Sequence, residues 1–184
     1  KARYEDEIVK QMIKNDGGEG NIEISYPEKL GIWETLIKEQ ADATWIFLNW
    51  EGVEAKGKGI DLELFKMADF DIPYSYSPVI ASNEKLIVEK ESEYRNFLSA
   101  TRKGFIAAAK DLDTASEILK KKVPQKDQEI DLKETIRVSA ESMEISESWG
   151  KMDDDSVKRY VDWLKAKNLE RNVSHQELFT NNLL

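Results

Sequence analysis

The run ATWIFLNWEGVE at residues 43–54 constrains the fold more than any other stretch of the chain. Thr44, Trp45, Ile46, Phe47 and Leu48 follow one another without the polar alternation of a half-exposed strand. The pattern therefore predicts a strand buried on both faces, as in a parallel sheet covered by helices. The run then breaks into Asn49-Trp50-Glu51-Gly52. Open parallel sheets bind ligands beyond the carboxyl ends of their strands, so an amide, an indole and a carboxylate in a row there are candidates for recognising a small molecule. A plainer explanation competes with this one. Trp50 would be packing, and Glu51 would open a helix, where a carboxylate favours the positive end of the dipole.

Helical and extended patterns alternate around this run. Tyr4, Ile8, Val9, Met12 and Ile13 lie at helical spacing, and Asp16-Gly17-Gly18 supplies the stop. Residues 21–26 alternate Ile22 and Ile24 with polar neighbours, predicting a short strand. Pro27 opens a helix with Leu30, Trp33, Leu36 and Ile37 on its apolar face. A short polar helix from about Glu51 ends at Gly57, Gly59 and Ile60, and residues 60–65 read as an edge strand. This order predicts a βαβαβ-type lobe with a parallel sheet, with Trp33 and Trp45 in its core. Residues 69–82 then carry Pro73 and Pro78, two tyrosines and several serines before the apolar Val79-Ile80-Ala81. Prolines restrict themselves and their predecessors, so a stiff crossing between domains is expected, with a surface loop and a strand behind it as the alternative.

Beyond Asn83 the patterns are almost all helical. Tyr94, Phe97, Leu98, Thr101, Phe105, Ile106 and Ala109 form a stripe within residues 89–110; Ala115, Ile118 and Leu119 follow within 111–120, before Pro124. Residues 131–143 carry Leu132, Ile136, Val138 and Met143. A loop with Trp149-Gly150 leads to a cap at residues 153–155. Residues 156–167 then place Val157, Tyr160, Val161 and Leu164 on one face, with Trp163 on its flank. Residues 176–184 are expected to pack back onto the sheet. These late apolar faces have no strands of their own to cover, so a second sheet from a preceding part of the protein is expected to bury them. A start at Lys1-Ala2-Arg3-Tyr4, without methionine, strand or cap, points the same way, to a piece of a longer protein whose signal segment lies outside this chain.

Composition excludes several classes of function. The net charge of -9, with 34% charged residues, disfavours nucleic-acid phosphates and anionic membrane surfaces as partners. No cysteine occurs, which removes disulfides, thiolate metal sites and cysteine nucleophiles from this chain; one histidine, His175, gives histidine metal clusters and triads little to stand on. No catalytic residue, metal ligand or cofactor site is therefore assigned. No run reaches the roughly 18 apolar residues of a membrane span.

Several segments together resemble a known family. They are the helix from Tyr4, NIEISYP, LIKEQADATWIF, PYSYSPVIASNEKLI, SATRKGFIAAAKDLDTASEIL, WGKMDDDSVKRYVDWLKAKNL and ELFTNNLL. The chain is similar along its length to solute-binding proteins of ABC importers, and more narrowly to the NMT1/THI5-like branch, whose bacterial members bind pyrimidine precursors of thiamine. TRKGFIAAAKD and YSYSPV are the most specific stretches. The resemblance implies an α/β, type II periplasmic-binding-protein-like fold: a parallel-sheet lobe at residues 1–70, a hinge crossing at 71–82, and a helical portion of the other lobe at 83–184. It also implies that Asn49, Trp50 and Glu51, with Tyr74, Tyr76 and Ser77 from the crossing, face the ligand.

An aminopyrimidine suits those groups. A carboxylate can accept from its exocyclic amine, a charge-assisted bond contributing roughly 1.5–3 kcal/mol, and stacking on an indole or phenol adds about 0.5–1.5 kcal/mol. No lysine or arginine lies between Thr44 and Val53, which favours a neutral or cationic aromatic ligand over a sulfonate. Riboflavin, another aromatic compound or a sulfonate is the alternative cargo. The family's fungal pyrimidine-synthase branch uses a histidine and a cysteine-rich segment, which this chain does not match. A purely structural helical adaptor is the third reading. The resemblance further implies an ABC permease as membrane partner and a lipid-anchored extracellular or periplasmic location. Self-association of a truncated chain would be another way to hide apolar faces.

Overall fold

Helix caps in the sequence become helix ends in the structure, a computed structural model that describes residues 3–26, 32–74, 76–143, 145–146 and 148–184, with the side chains of 32–34 outside that description. In chain order the helices are α1 (Tyr4–Asn15), α2 (Ile32–Ile37), α3 (Val53–Gly57), α4 (Glu84–Glu89), α5 (Glu91–Lys110), α6 (Leu112–Lys120), α7 (Leu132–Ser142) and α8 (Asp154–Ala166). A π-helical turn at Leu48–Gly52 leads into α3, and 3-10 turns occur at Met67–Phe70, Gln125–Asp127 and His175–Glu177.

The starts have a common chemistry. Asp111, Asp131 and Asp153 each accept the backbone N–H three residues on, from Thr114, Glu134 and Ser156, at 3.0, 3.0 and 2.8 Å. Stops are equally local. Gly17 at φ +91° lets its N–H reach the Lys14 carbonyl while Gly18 N–H reaches that of Ile13, a Schellman closure of α1. Gly59 closes α3 in the same way, and Asn168, at φ +56°, closes α8. The helix expected over residues 89–110 is α5, and Lys90 (φ -125°, ψ 32°) leaves helical geometry between it and the preceding α4.

The expectation of an α/β fold with a parallel-sheet lobe is overturned: among the described residues there is no strand at all. The stretches at 21–26, 44–48, 60–65 and 79–81 carry no regular secondary structure apart from the entry of Leu48 into the π turn. The physical reason is that apolar, β-branched residues describe a surface suited to a sheet, while a strand exists only with a partner ladder. Lacking one, the run expected to be buried on both faces lies partly open. Phe47 is 58% exposed and Trp45, expected in the core, is 37% exposed. The closing residues 176–184, expected to pack back onto the sheet, have none to pack on among the described residues. Leu30 and the side chain of Trp33, expected on an apolar helix face, lie outside the described residues.

The chain divides into two compact units. The first comprises Lys1–Ser25, Leu64–Leu98 and Gly150–Leu184. Its buried residues are Ile8 of α1, Ile72, Val157, Val161 and Leu164 of α8, and Leu183. Leu183 is held by a neighbouring clamp in which Asn181 uses its side-chain amide twice on Met152, accepting the N–H at 2.9 Å and donating to the carbonyl at 2.8 Å. The second unit comprises Tyr26–Glu63 and Ser99–Trp149. Here Val53 and Ala55 of α3 are buried, as are Leu132 and Thr135 of α7. The π turn lies against α7, α6 packs on α7, and Phe105 of α5 stacks on Trp149 with ring centroids 4.8 Å apart.

Candidate ligand-binding turn

The chain enters the π turn through Phe47 in extended geometry (φ -99°, ψ 121°). The Phe47 peptide is then satisfied from both sides. Its carbonyl accepts the N–H groups of Trp50 and Gly52 at 3.0 and 3.1 Å, and its N–H donates to Glu51 Oε2 at 2.9 Å. Glu51 therefore braces its own turn with one carboxylate oxygen. The competing expectation that it opens a helix is not met, since Glu51 lies inside the π turn and α3 starts two residues on, at Val53.

Asn49 ties the turn to α7. Its Nδ2 donates to Ser139 Oγ at 2.9 Å, Ser139 Oγ donates to the Thr135 carbonyl at 2.8 Å, and Thr135 Oγ1 donates to the Asp131 carbonyl at 3.1 Å. A file of hydroxyls thus runs up α7 from its N-cap to the turn. Asn49, Trp50 and Glu51 are all half-buried, so each is held without being sealed.

Cations next to this arrangement are already neutralised. Lys56 of α3 reaches Glu134 at 3.4 Å, and Arg137 grips Glu134 at 2.7 Å and Glu141 at 2.5 Å. The Arg137 hydrogen bond and charge, with Lys56 behind them, hold the Glu134 carboxyl down at about 2 against the opposing effect of desolvation. The turn consequently offers acceptors and an indole. An anion would have to compete with carboxylates for its cations.

Tyr74, Tyr76 and Ser77 belong to the first unit, so the structure assigns the six candidate residues to two different units. Tyr74 meets Tyr160 of α8 edge-on, centroids 5.4 Å apart, and Tyr160 lies parallel to Trp163 at 6.2 Å. Burial, followed by the neighbouring Tyr74 and Glu5, pushes the Tyr160 phenol up. The Tyr76 hydroxyl accepts the Asp153 N–H at 2.7 Å. Ser77 is exposed. The described residues contain no cluster of His, Asp or Glu able to hold a metal ion, and no helix long and apolar enough to cross a membrane. Ser139 and Thr135 were not among the residues singled out from the sequence. The signal that could have found them is a pair of hydroxyls at i and i+4 on a helix whose neighbouring Leu132 is core.

The model of the family described as NMT1/THI5 like matches residues 1–115. The chain belongs to the NMT1/THI5-like family. No curated protein matches it. All six candidate residues lie within the span matched to the NMT1/THI5-like family. The hydroxyl file of α7 that holds Asn49 lies beyond it. Membership is consistent with a solute-binding or thiamine-pyrimidine-related role.

Proposed function

We propose that this NMT1/THI5-like chain is the solute-binding component of an ABC importer and takes a thiamine pyrimidine precursor of the hydroxymethyl- or aminomethylpyrimidine type. The observation that carries the reading is the braced turn. On either side of Trp50 in the chain it holds an amide and a carboxylate that each keep one oxygen not used within the described residues. A 4-aminopyrimidine supplies the matching parts, an exocyclic amine with two donors and a flat ring to stack. The neutralised cations Lys56 and Arg137 weigh against a sulfonate; riboflavin or another neutral aromatic solute is the second reading, since it too could stack on Trp50.

Binding rather than catalysis is favoured because the fungal enzyme branch works with a histidine and a cysteine-rich segment. Here residues 1–115 hold neither residue type, and His175 lies outside the matched span. An importer role carries with it a membrane permease as partner and a lipid-anchored or periplasmic location. Tryptophan fluorescence during titration with 4-amino-5-hydroxymethyl-2-methylpyrimidine tests the ligand. Saturable quenching, lost in Trp50→Phe, is expected; binding of riboflavin but no pyrimidine would transfer the site to the second reading.

A further inference from the structure

The hydrogen bonds around Asn49 fix more than its position. An asparagine amide can be turned either way, and which end faces a neighbour follows from what that neighbour can do. Ser139 has one hydroxyl proton, and it is committed to the Thr135 carbonyl at 2.8 Å. Toward Asn49, then, Ser139 Oγ can only accept, and the Asn49 atom 2.9 Å away has to be the amino nitrogen. The Asn49 oxygen is left over, and no hydrogen bond to it occurs among the described residues. On the same turn Glu51 spends Oε2 on the Phe47 N–H and retains Oε1.

We propose that Ser139, backed by Thr135, is a positioning residue that locks the Asn49 amide with its oxygen available, so that the turn presents acceptors and selects ligands that offer N–H donors at that edge. This rests on the solute-binding reading above and deepens it. The locked amide has a consequence for selectivity. A 4-aminopyrimidine brings an amine to the Asn49 oxygen, whereas the corresponding pyrimidin-4-one brings a carbonyl, which that oxygen repels. With Ser139 removed, the Asn49 amide turns freely and can offer its amino group to that carbonyl.

The test titrates the full chain and its Ser139→Ala and Ser139→Thr variants with both pyrimidines, following tryptophan fluorescence, with circular dichroism as the check on folding. In the unaltered chain the aminopyrimidine binds more tightly. Ser139→Ala is expected to shrink that preference by about five- to tenfold, the worth of one hydrogen bond, mainly by improving pyrimidinone binding. Ser139→Thr keeps a hydroxyl that can donate to the Thr135 carbonyl, and retains the preference. A merely structural Ser139 would weaken both ligands equally, leaving the ratio unchanged; that result overturns the proposal while the pyrimidine reading stands. Should Ser139→Ala not fold, loss of the preference in Ser139→Thr would overturn it as well. If the unaltered chain binds neither pyrimidine, the ligand reading and the proposal fall together.

Discussion

The Tyr76 hydroxyl accepts the backbone N–H of Asp153 at 2.7 Å, across 77 positions of sequence, at the residue that caps α8. One residue thereby anchors the segment between the 3-10 turn at 67–70 and α4 to a helix start near the other end of the chain. Asp153 itself is pinned, since its carboxylate accepts both the hydroxyl and the N–H of Ser156, and those bonds hold its pKa below the usual carboxylate range.

Two substitutions separate these contributions. The Tyr76 bond is solvent-exposed, so water replaces the lost hydroxyl, and Tyr76→Phe is expected to cost about 0.5 kcal/mol, the low end for a hydrogen bond. Asp153→Ala removes the α8 cap and is expected to cost more than Tyr76→Phe, because it strips the helix start of its side-chain acceptor. Urea denaturation of both variants checks the order, and a larger loss in Tyr76→Phe would show that the tyrosine holds more than this one bond.

Asn181 gives the second prediction. Its amide imitates a peptide group, exchanging two hydrogen bonds with Met152 at 2.9 and 2.8 Å beside the buried Leu183. Asn181→Leu breaks both and leaves the Met152 peptide unpaired, for an expected loss of about 1–3 kcal/mol. Amide hydrogen exchange should show protection falling first in residues 178–184. Unchanged exchange there would mean that Leu183 alone holds the segment.

How much of this was legible in the sequence depends on the range of the interaction. Helix limits are set by neighbours three to five residues away, so Asp153 before α8 and Gly17 after α1 announce themselves. The apolar run 44–48 asks for partners far off in the chain, and its pattern cannot say whether they exist. Among the described residues it forms no ladder, and Phe47 is left exposed. The Asn49–Ser139 bond joins residues 90 apart, which no spacing rule reaches. Asn49, Trp50 and Glu51 were readable as a group because they are adjacent; the hydroxyls that hold Asn49 were not.

Acid should loosen the second unit from α7 outward. The hydrogen bond and charge of Arg137, then those of Lys56, depress Glu134 from 4.5 to about 2. A carboxyl lowered on folding stabilises the folded state in full above its unfolded value. That contribution declines as pH falls below about 4.5 and is gone once pH has passed through about 2. Glu134→Gln should therefore flatten the pH dependence of stability between those limits while leaving it unchanged above them. An identical acid profile in the variant would place the sensitivity in other carboxylates.

Glu51 is where structural and ligand roles can be pulled apart by one atom. Its Oε2 accepts the Phe47 N–H, a task that the carbonyl oxygen of a glutamine performs as well, so Glu51→Gln should fold with stability within about 0.5 kcal/mol of the original. Glu51→Ala loses the brace and should cost about 0.5–1.5 kcal/mol. Against an aminopyrimidine Glu51→Gln differs from the original chain, because with the glutamine oxygen on the Phe47 N–H its amino group stands where Oε1 would accept the ligand's amine. Glu51→Gln is expected to weaken binding by about ten- to a hundredfold, the loss of one charge-assisted bond. Paired fluorescence titrations and urea melts read both quantities from the same samples. Full affinity in Glu51→Gln, with a stability loss confined to Glu51→Ala, would reduce Glu51 to a brace for its turn.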